Sequence, residues 1–334
     1  NFLFNTKIDH LVCSLGMWLL GLGSPETRLG TQIQMSVKPL PYPTILGWHT
    51  DRDDEFAFML SISANGLRLG PTFLASNYSF HSQLPAQSAL KQHYMAPGEV
   101  ALEDKIYLTF TLSDGDQFTL MNTAEVGNWR RPERGLVPFN WEVQPLLVEL
   151  APALLENYYQ NLSANDMLVA GPSGAGYLIP PLVPDLPAYM RESARLCDQS
   201  DIRITTSYTC NIPQRVINDH ANAPGNFLGY IAGYFHLSKT PMTMAGKRPL
   251  VSYAWPHLSQ IGLPAEQVLS GIRGLIEAPG PQTRFIACHL FAYRTTVADV
   301  YHFVQTLDPQ KVKVVRADEF LLAAEKFMLK ERNS

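Results

Sequence analysis

The spacing of apolar positions changes near Pro43. Residues 1–40 predict a helix followed by a polar, weakly patterned stretch, SPETRLGTQIQMSVKPLPYP. From Pro43 onward, short apolar runs of strand type alternate with longer segments of helical spacing. The runs are PTILGW (43–48), RLGPTFLAS (68–76), KIYLTFTL (105–112), LVPFNWEV (136–143), MLVAG (167–171), IRITTSY (202–208), NFLGYIAGYF (226–235), PLVSYAW (249–255), TRFIACHLF (283–291) and VKVVRA (312–317). Helical patterns separate several of them. In TVADVYHFVQTL, Val297, Val300, Tyr301 and Val304 fall at the spacing of one buried helix face; VQPLLVELAPALLENYYQNL is a second such segment. Strands apolar on both faces and alternating with helices predict a largely parallel sheet. About eight such units predict an α/β fold of TIM-barrel-like (β/α)8 type. An open doubly wound sheet and a seven-stranded barrel variant are the alternatives.

Composition narrows the function classes. Of the 334 residues, 46% are apolar and 17% charged, enough to bury a large core. The net charge is −4 with no basic block, so no nucleic-acid partner is expected. No apolar run reaches the roughly 18 residues of a membrane span, and no membrane association is expected. The nearest, Leu11 to Gly23, has the length of a core helix, and Asp9 and His10 stand where a signal peptide would carry basic residues. The chain begins at Asn1 and not at Met, so the start of the protein is expected upstream. The four cysteines, Cys13, Cys197, Cys210 and Cys288, lack any zinc-type spacing and are expected to be buried free thiols. No cofactor and no metal is expected.

In a parallel barrel the residues just after the strands converge on one mouth, which carries the chemistry. Those positions hold Trp48, His49 and Asp51; Asp114 and Asp116 in SDGDQ; Asn140, Trp141 and Glu142 in NWEVQ; Tyr177; Asn211; Trp255 and His257; and Arg316, Asp318 and Glu319. Carboxylates and indoles recur there. A flat indole suits the C–H face of a sugar ring, and paired carboxylates suit cleavage of a glycosidic bond. Each also has a plainer reading: SDGD as a turn with a helix cap, Asp318 as an N-cap, Glu319 as a helix-dipole partner and Trp as rim packing. Asp114-x-Asp116 has a spacing seen around Mg²⁺ or Ca²⁺, but no histidine pair has the HxxxH or HExxH spacing of a zinc hydrolase.

The loop VAGPSGAGYLIPP (169–181) invites three readings. A phosphate loop must open a helix with its backbone N–H groups, and Pro180, Pro181 and Pro184 oppose that. GPSGA approaches the G-x-S-x-G nucleophile elbow, which needs the same helix. The reading left is a rigid strand-end loop whose glycines allow close backbone approach while presenting Tyr177.

This loop resembles the signature of the GxGYxYP proteins, a family of proposed glycoside hydrolases. The matching residues are Gly174-Ala175-Gly176-Tyr177-Leu178-Ile179-Pro180, with Ile179 standing where the motif has its second tyrosine. TFTLSDGDQ is similar to the family's SDGDN-like motif, with Gln117 in the Asn position. The order of segments from Asn128 to Tyr177 follows the family as well. The resemblance covers roughly residues 1–330. It implies a glycoside-hydrolase-type barrel and carbohydrate substrates. It further implies that residues 1–40 are a helix and linker left from a preceding N-terminal domain, and that residues 41–334 are the barrel domain.

The resulting expectation is a hydrolase of oligo- or polysaccharides. Asp116 and Glu142 form its carboxylate pair, with Glu319 or Asp114 as the substitute. His49 and Asp51 hold sugar hydroxyls, and Trp48, Trp141, Tyr177, Asn211 and Trp255 line subsites. The alternatives are a non-catalytic carbohydrate-binding barrel and a metal-assisted hydrolase using Asp114 and Asp116. The expected location is extracellular or periplasmic.

Overall fold

The computed structural model describes residues 3–4, 9–10, 42, 44–47, 55–71, 78–113, 127–209, 212–233, 242–255 and 262–333. Strands β1 (Leu3–Phe4) and β2 (Asp9–His10) form a short antiparallel pair. Where a helix was expected in the first forty residues, these are strands; the remainder of that segment lies outside the described residues. Strand β3 (Thr44–Gly47), helix α1 (Glu55–Ala64) and strand β4 (Arg68–Pro71) form a right-sized parallel unit, with β3 paired to β4. The single-turn helix α2 (Tyr78–His81) follows.

The barrel comes next. Its parallel strands are β5 (Ile106–Leu112), β6 (Phe139–Val143), β7 (Asp166–Ala170), β8 (Ile204–Ser207) and β9 (Gly229–Ala232). Strand β10 (Met242–Ala245) leads by a tight turn into β11 (Arg248–Trp255), and β12 (Arg284–Leu290) completes the ring. Neighbours pair in the order β5-β6-β7-β8-β9-β11-β12 and back to β5, which closes seven parallel strands. Strand β13 (Val312–Val314) adds to the first half of β5, while β6 pairs only with its last two residues. All ten apolar runs are therefore strands. Of the ten runs, the first two pair with each other and VKVVRA adds to the side of β5, so seven strands enter the ring where about eight were expected.

Helices pack outside this ring: α3 (Leu147–Leu150), α4 (Pro152–Gln160), α5 (Leu186–Gln199), α6 (Gln214–Ala221), α7 (Ala265–Glu277) and α8 (Val297–Val304). Among the described residues no helix is long and apolar enough to cross a membrane. Cys197 and Cys288 are buried free thiols; Cys13 and Cys210 lie outside the described residues.

Alternation along the strands builds two cores. Outward residues such as Phe110, Trp141, Leu168 and Cys288 pack under the helices. Inward residues Tyr107, Met167, Val169, Ile204, Ile231, Val251 and Ala287 pack against Ala317, Phe320, Leu321 and Ala324 of the last helix, α9 (Ala317–Asn333). Helix α9 follows β13, which pairs with the start of β5, so it fills the N-terminal half of the lumen. Each Val, Ile, Leu, Met or Phe among them contributes about 1.5–3 kcal/mol on burial, and each alanine less. The barrel is not evenly laced. Strands β7 and β8 pair only at Ala170 and Thr205. There the Gln92 amide donates to the Leu168 carbonyl (3.1 Å) and accepts from its N–H (2.7 Å), completing the backbone pairing.

One core histidine should make the fold acid-sensitive. His220 is buried at the end of α6, with its Nδ1 2.8 Å from the Val216 carbonyl and its ring edge-on to Tyr230. Burial, helped by the Arg248 charge, lowers its pKa to about 4. The unfolded chain takes this proton near pH 6.5 and the folded chain does not. The penalty is thus absent at pH 7 and grows as pH falls toward 4. At pH 4.5 it should reach about 2–3 kcal/mol. Urea midpoints at pH 7 and 4.5 should fall further for the natural chain than for His220→Gln. Equal losses would show that another group carries the acid sensitivity.

Candidate active site

The inward side chains change character at the C-terminal end of the lumen. Above the apolar floor stand Thr109 and Thr111 of β5, Asn140 and Glu142 of β6, Thr206 of β8, Tyr253 of β11 and His289 of β12, all buried. Glu142 is at the centre. Its Oε1 accepts from the Thr206 hydroxyl (2.5 Å), its Oε2 accepts from the Tyr208 hydroxyl, and the His289 Nε2 lies 3.5 Å from Oε1. Burial pushes the Tyr253 hydroxyl well above its usual range, and the Glu142 charge adds to this, so Tyr253 stays protonated beside the carboxylate. The His289 ring lies 4.9 Å from both Tyr208 and Tyr253. A buried carboxylate is costly unless its oxygens are hydrogen-bonded; two hydroxyls meet that need.

The glycine-rich loop closes over this cluster. It runs from Gly171 to Asp185, and helix α5 begins only at Leu186, with the Asp185 carboxylate accepting from the Ala188 N–H. No helix opens at the glycines, so neither a phosphate loop nor a nucleophile elbow forms. Ser173 is buried and donates its hydroxyl to the Leu178 carbonyl (2.6 Å), which removes it as a nucleophile. Gln144 clamps the loop from below: its amide donates to the Gly171 carbonyl (2.8 Å) and accepts from the Gly176 N–H (2.7 Å). Gly176 has φ 106° and lies against Arg68, which leaves no room for a side chain. Arg68 is buried and donates to Thr44, to the Ala175 carbonyl and to Glu192, which ties β3, the loop and α5 together.

The signature tyrosine has a defined place. Tyr177 and Leu69 exchange both backbone hydrogen bonds (2.7 and 2.8 Å), so the loop joins the edge of β4. The Tyr177 ring is edge-on to Tyr208 at 5.7 Å, and its hydroxyl donates to Glu55 of α1 at 3.4 Å. Ile179, the departure from the motif, packs with Ile45, Met59, Ile62 and Leu69. An apolar side chain suits that position, which fastens the β3–α1–β4 unit to the barrel.

Three expected site residues stand elsewhere. Trp141 neighbours Glu142 on β6 and so faces the opposite way. It is fully buried, edge-on to Trp129 at 5.0 Å, with its indole N–H donating to Asp166 (2.8 Å), and it lines no subsite. Trp255 follows an irregularity in the β11–β12 register and turns outward, its ring packed against Gly271 of α7. Glu319 lies in the first turn of α9 and pairs with Lys313 (2.8 Å). Lys313 sits opposite Tyr107 near the start of β5, at the floor of the lumen and away from Glu142. Asp318 also sits at that floor, forked by Arg316 and accepting from the Met95 N–H. Trp48, His49, Asp51, Asp114, Asp116 and Asn211 lie outside the described residues. Among the described residues no three His, Cys, Asp or Glu side chains are grouped as a metal ion would require.

Sequence reasoning missed Thr206, Tyr208, Tyr253, His289 and Gln144. A signal for His289 exists: Phe285, Ala287 and His289 alternate with Ile286 and Cys288, which places a polar group on the inner face at the end of a buried strand.

Known proteins resemble the chain in sequence and in fold. A crystal structure described as "a putative hydrolase" from Bacteroides thetaiotaomicron VPI-5482 shares the fold with a TM-score of 0.75 and 24% identity; the match covers 90% of this chain and 60% of that one. The chain thus spans 60% of that protein's length. Two structures of the peptidoglycan deacetylase PdaC from Bacillus subtilis overlap 72% of the chain at 11% identity, with TM-scores of 0.41 and 0.38, too loosely to bear on it. No curated protein matches the sequence. Residues 104–324, from the turn before β5 into α9, match the family described as "GxGYxYP putative glycoside hydrolase C-terminal domain", and the chain belongs to that family.

Proposed function

We propose that the barrel hydrolyses glycosidic bonds of oligo- or polysaccharides, with Glu142 as one carboxylate and Asp116 or Asp114 as the other. The observation that carries this reading is a carboxylate held by two hydroxyls at the C-terminal end of a parallel barrel lumen, where such folds place their chemistry. The SDGD segment supports it. Strand β5 ends at Leu112, opposite Trp141 on β6, so the chain leaves β5 beside the strand of Glu142 and reaches Asp114 two residues later. Trp48, His49, Asp51, Tyr177 and Asn211 would hold the sugar. Family membership agrees with a carbohydrate substrate.

The test is release of reducing ends from a panel of plant, bacterial and animal glycans. The natural chain should cleave at least one of them, and Asp116→Asn should cut kcat by roughly 10²–10⁴-fold, the scale of a lost acid or base. An inactive natural chain across the panel would leave a carbohydrate-binding barrel as the better reading. Full activity of Asp116→Asn would pass the role to Asp114.

A further inference from the structure

The wall of the barrel parts at one place. Leu250 and Val251 of β11 pair with β9 on one edge and with Thr243 and Met242 of β10 on the other. Strand β10 thus takes the edge that the lower half of β12 would use. Strands β11 and β12 pair only higher up, Tyr253 with Ala287 and Trp255 with Cys288. Below that point Arg284, Phe285 and Ile286 pair with β5, and among the described residues no strand takes their other edge.

A cavity of about 420 Å³ occupies this seam. Val251 and Phe285 of the inner core line it together with Leu275 and Ile286 of the outer one. Residues of both faces share one cavity only where the strands between them separate. Phe327 of α9, its ring tilted to that of Phe285 at 5.6 Å, lines it as well. All the lining side chains but those of Thr283 and Arg284 are apolar. The terminal nitrogens of Arg284 donate to the Ala278 and Ile276 carbonyls (2.7 and 2.8 Å) at the end of α7. Among the described residues no carboxylate pairs with this guanidinium, and its buried Nε–H has no acceptor, although buried donors are almost always paired.

We propose that this seam is a binding site for a monocarboxylic acid with an unbranched apolar chain. The chain fills the space between the two cores, and the carboxylate settles against Arg284. The volume falls within the roughly 300–1,000 Å³ of small-molecule sites, which bury an apolar body and fix it with a few polar groups. A neutral apolar molecule would leave the guanidinium without a counter-charge. A glycan would leave its hydroxyls without partners among these side chains. The seam lies beside the start of β12, at the end of the barrel opposite Glu142, so the proposal is independent of the hydrolase reading.

The experiment is calorimetric titration of the full chain with hexanoate, octanoate and decanoate, each below its micelle concentration. Affinity should rise about fourfold for each added CH₂, the increment of one buried methylene. Decan-1-ol, which brings the same chain without the charge, should bind roughly tenfold more weakly than decanoate, or weaker still. Ala254→Phe puts a ring into the cavity from β11 and should lower decanoate affinity at least tenfold with an unchanged circular dichroism spectrum. Should that variant fail to fold, Ala278→Trp makes the same test from the exposed end of α7. Affinity that ignores chain length, equal binding of alcohol and acid, or undiminished binding in the filled variant overturns the proposal. So does a natural chain that binds none of the three acids.

Discussion

Glu142→Gln should lose roughly 10³-fold or more in kcat while keeping its fold. The amide has nearly the volume of the carboxylate, so the packing around β6 is undisturbed. Two opposing terms set the stability change. The variant no longer holds a charge in the lumen, which is favourable. The amide nitrogen, however, cannot accept from the hydroxyl that faces it, whether Thr206 or Tyr208, which costs about 1–3 kcal/mol. The net shift should stay within about 2 kcal/mol. Thermal unfolding beside glycan hydrolysis separates the outcomes. A folded, inactive variant supports the role; a folded variant with unreduced hydrolysis removes Glu142 from the chemistry.

Gly171→Ala should be damaging out of proportion to the single methyl group it adds. A Cβ there would stand 2.1 Å from the Thr206 Oγ1 and 2.7 Å from the Glu142 Cδ. Both are much closer than atoms can approach, and both belong to one hydrogen-bonded pair. The carboxylate must move, or the loop must lift from Gln144, whose amide holds the Gly171 carbonyl. Overpacking of this kind costs about 1–3 kcal/mol. A shift near 1 Å in a catalytic group can cost about 10²-fold in rate. We expect activity to fall by at least that factor, with Tm lowered in parallel. Gly98→Ala, where no atom lies within 4 Å of the new Cβ, should leave the rate unchanged. An unaltered rate in Gly171→Ala would mean that the site lies elsewhere in the barrel.

Strand identity was legible because buried parallel strands need apolar residues on both faces, and all ten runs carry them. The strand count was not, since PTILGW and RLGPTFLAS have the composition of barrel strands but pair with each other. Glu142 was legible as a carboxylate near the end of an apolar run. Trp141 was misjudged on a point the sequence does contain: adjacent strand residues face opposite sides, so the two cannot both line the lumen. Trp255 depended on a register irregularity between Tyr253 and Trp255, which no local pattern reveals. Glu319 follows a strand but sits at the floor, because β13 pairs with the beginning of β5. Thr206, Tyr208 and His289 meet Glu142 only through strand order, which single-sequence periodicity does not supply.

Helix α9 supplies the barrel's inner packing from the very end of the chain. The inner faces of strands spread from Tyr107 to Ala287 have one common apolar partner, and it is encoded after all of them. On a growing chain the ring can be laced by its own backbone while its inside is still open to water. Strand β13 must then find β5 across on the order of 200 residues, a pairing with a high loop-closure cost. Until it does, the lumen is an exposed apolar surface of the kind that chaperones hold and that neighbouring nascent chains can join. The polar end of the lumen and its apolar floor thus rest on parts of the chain made at different times.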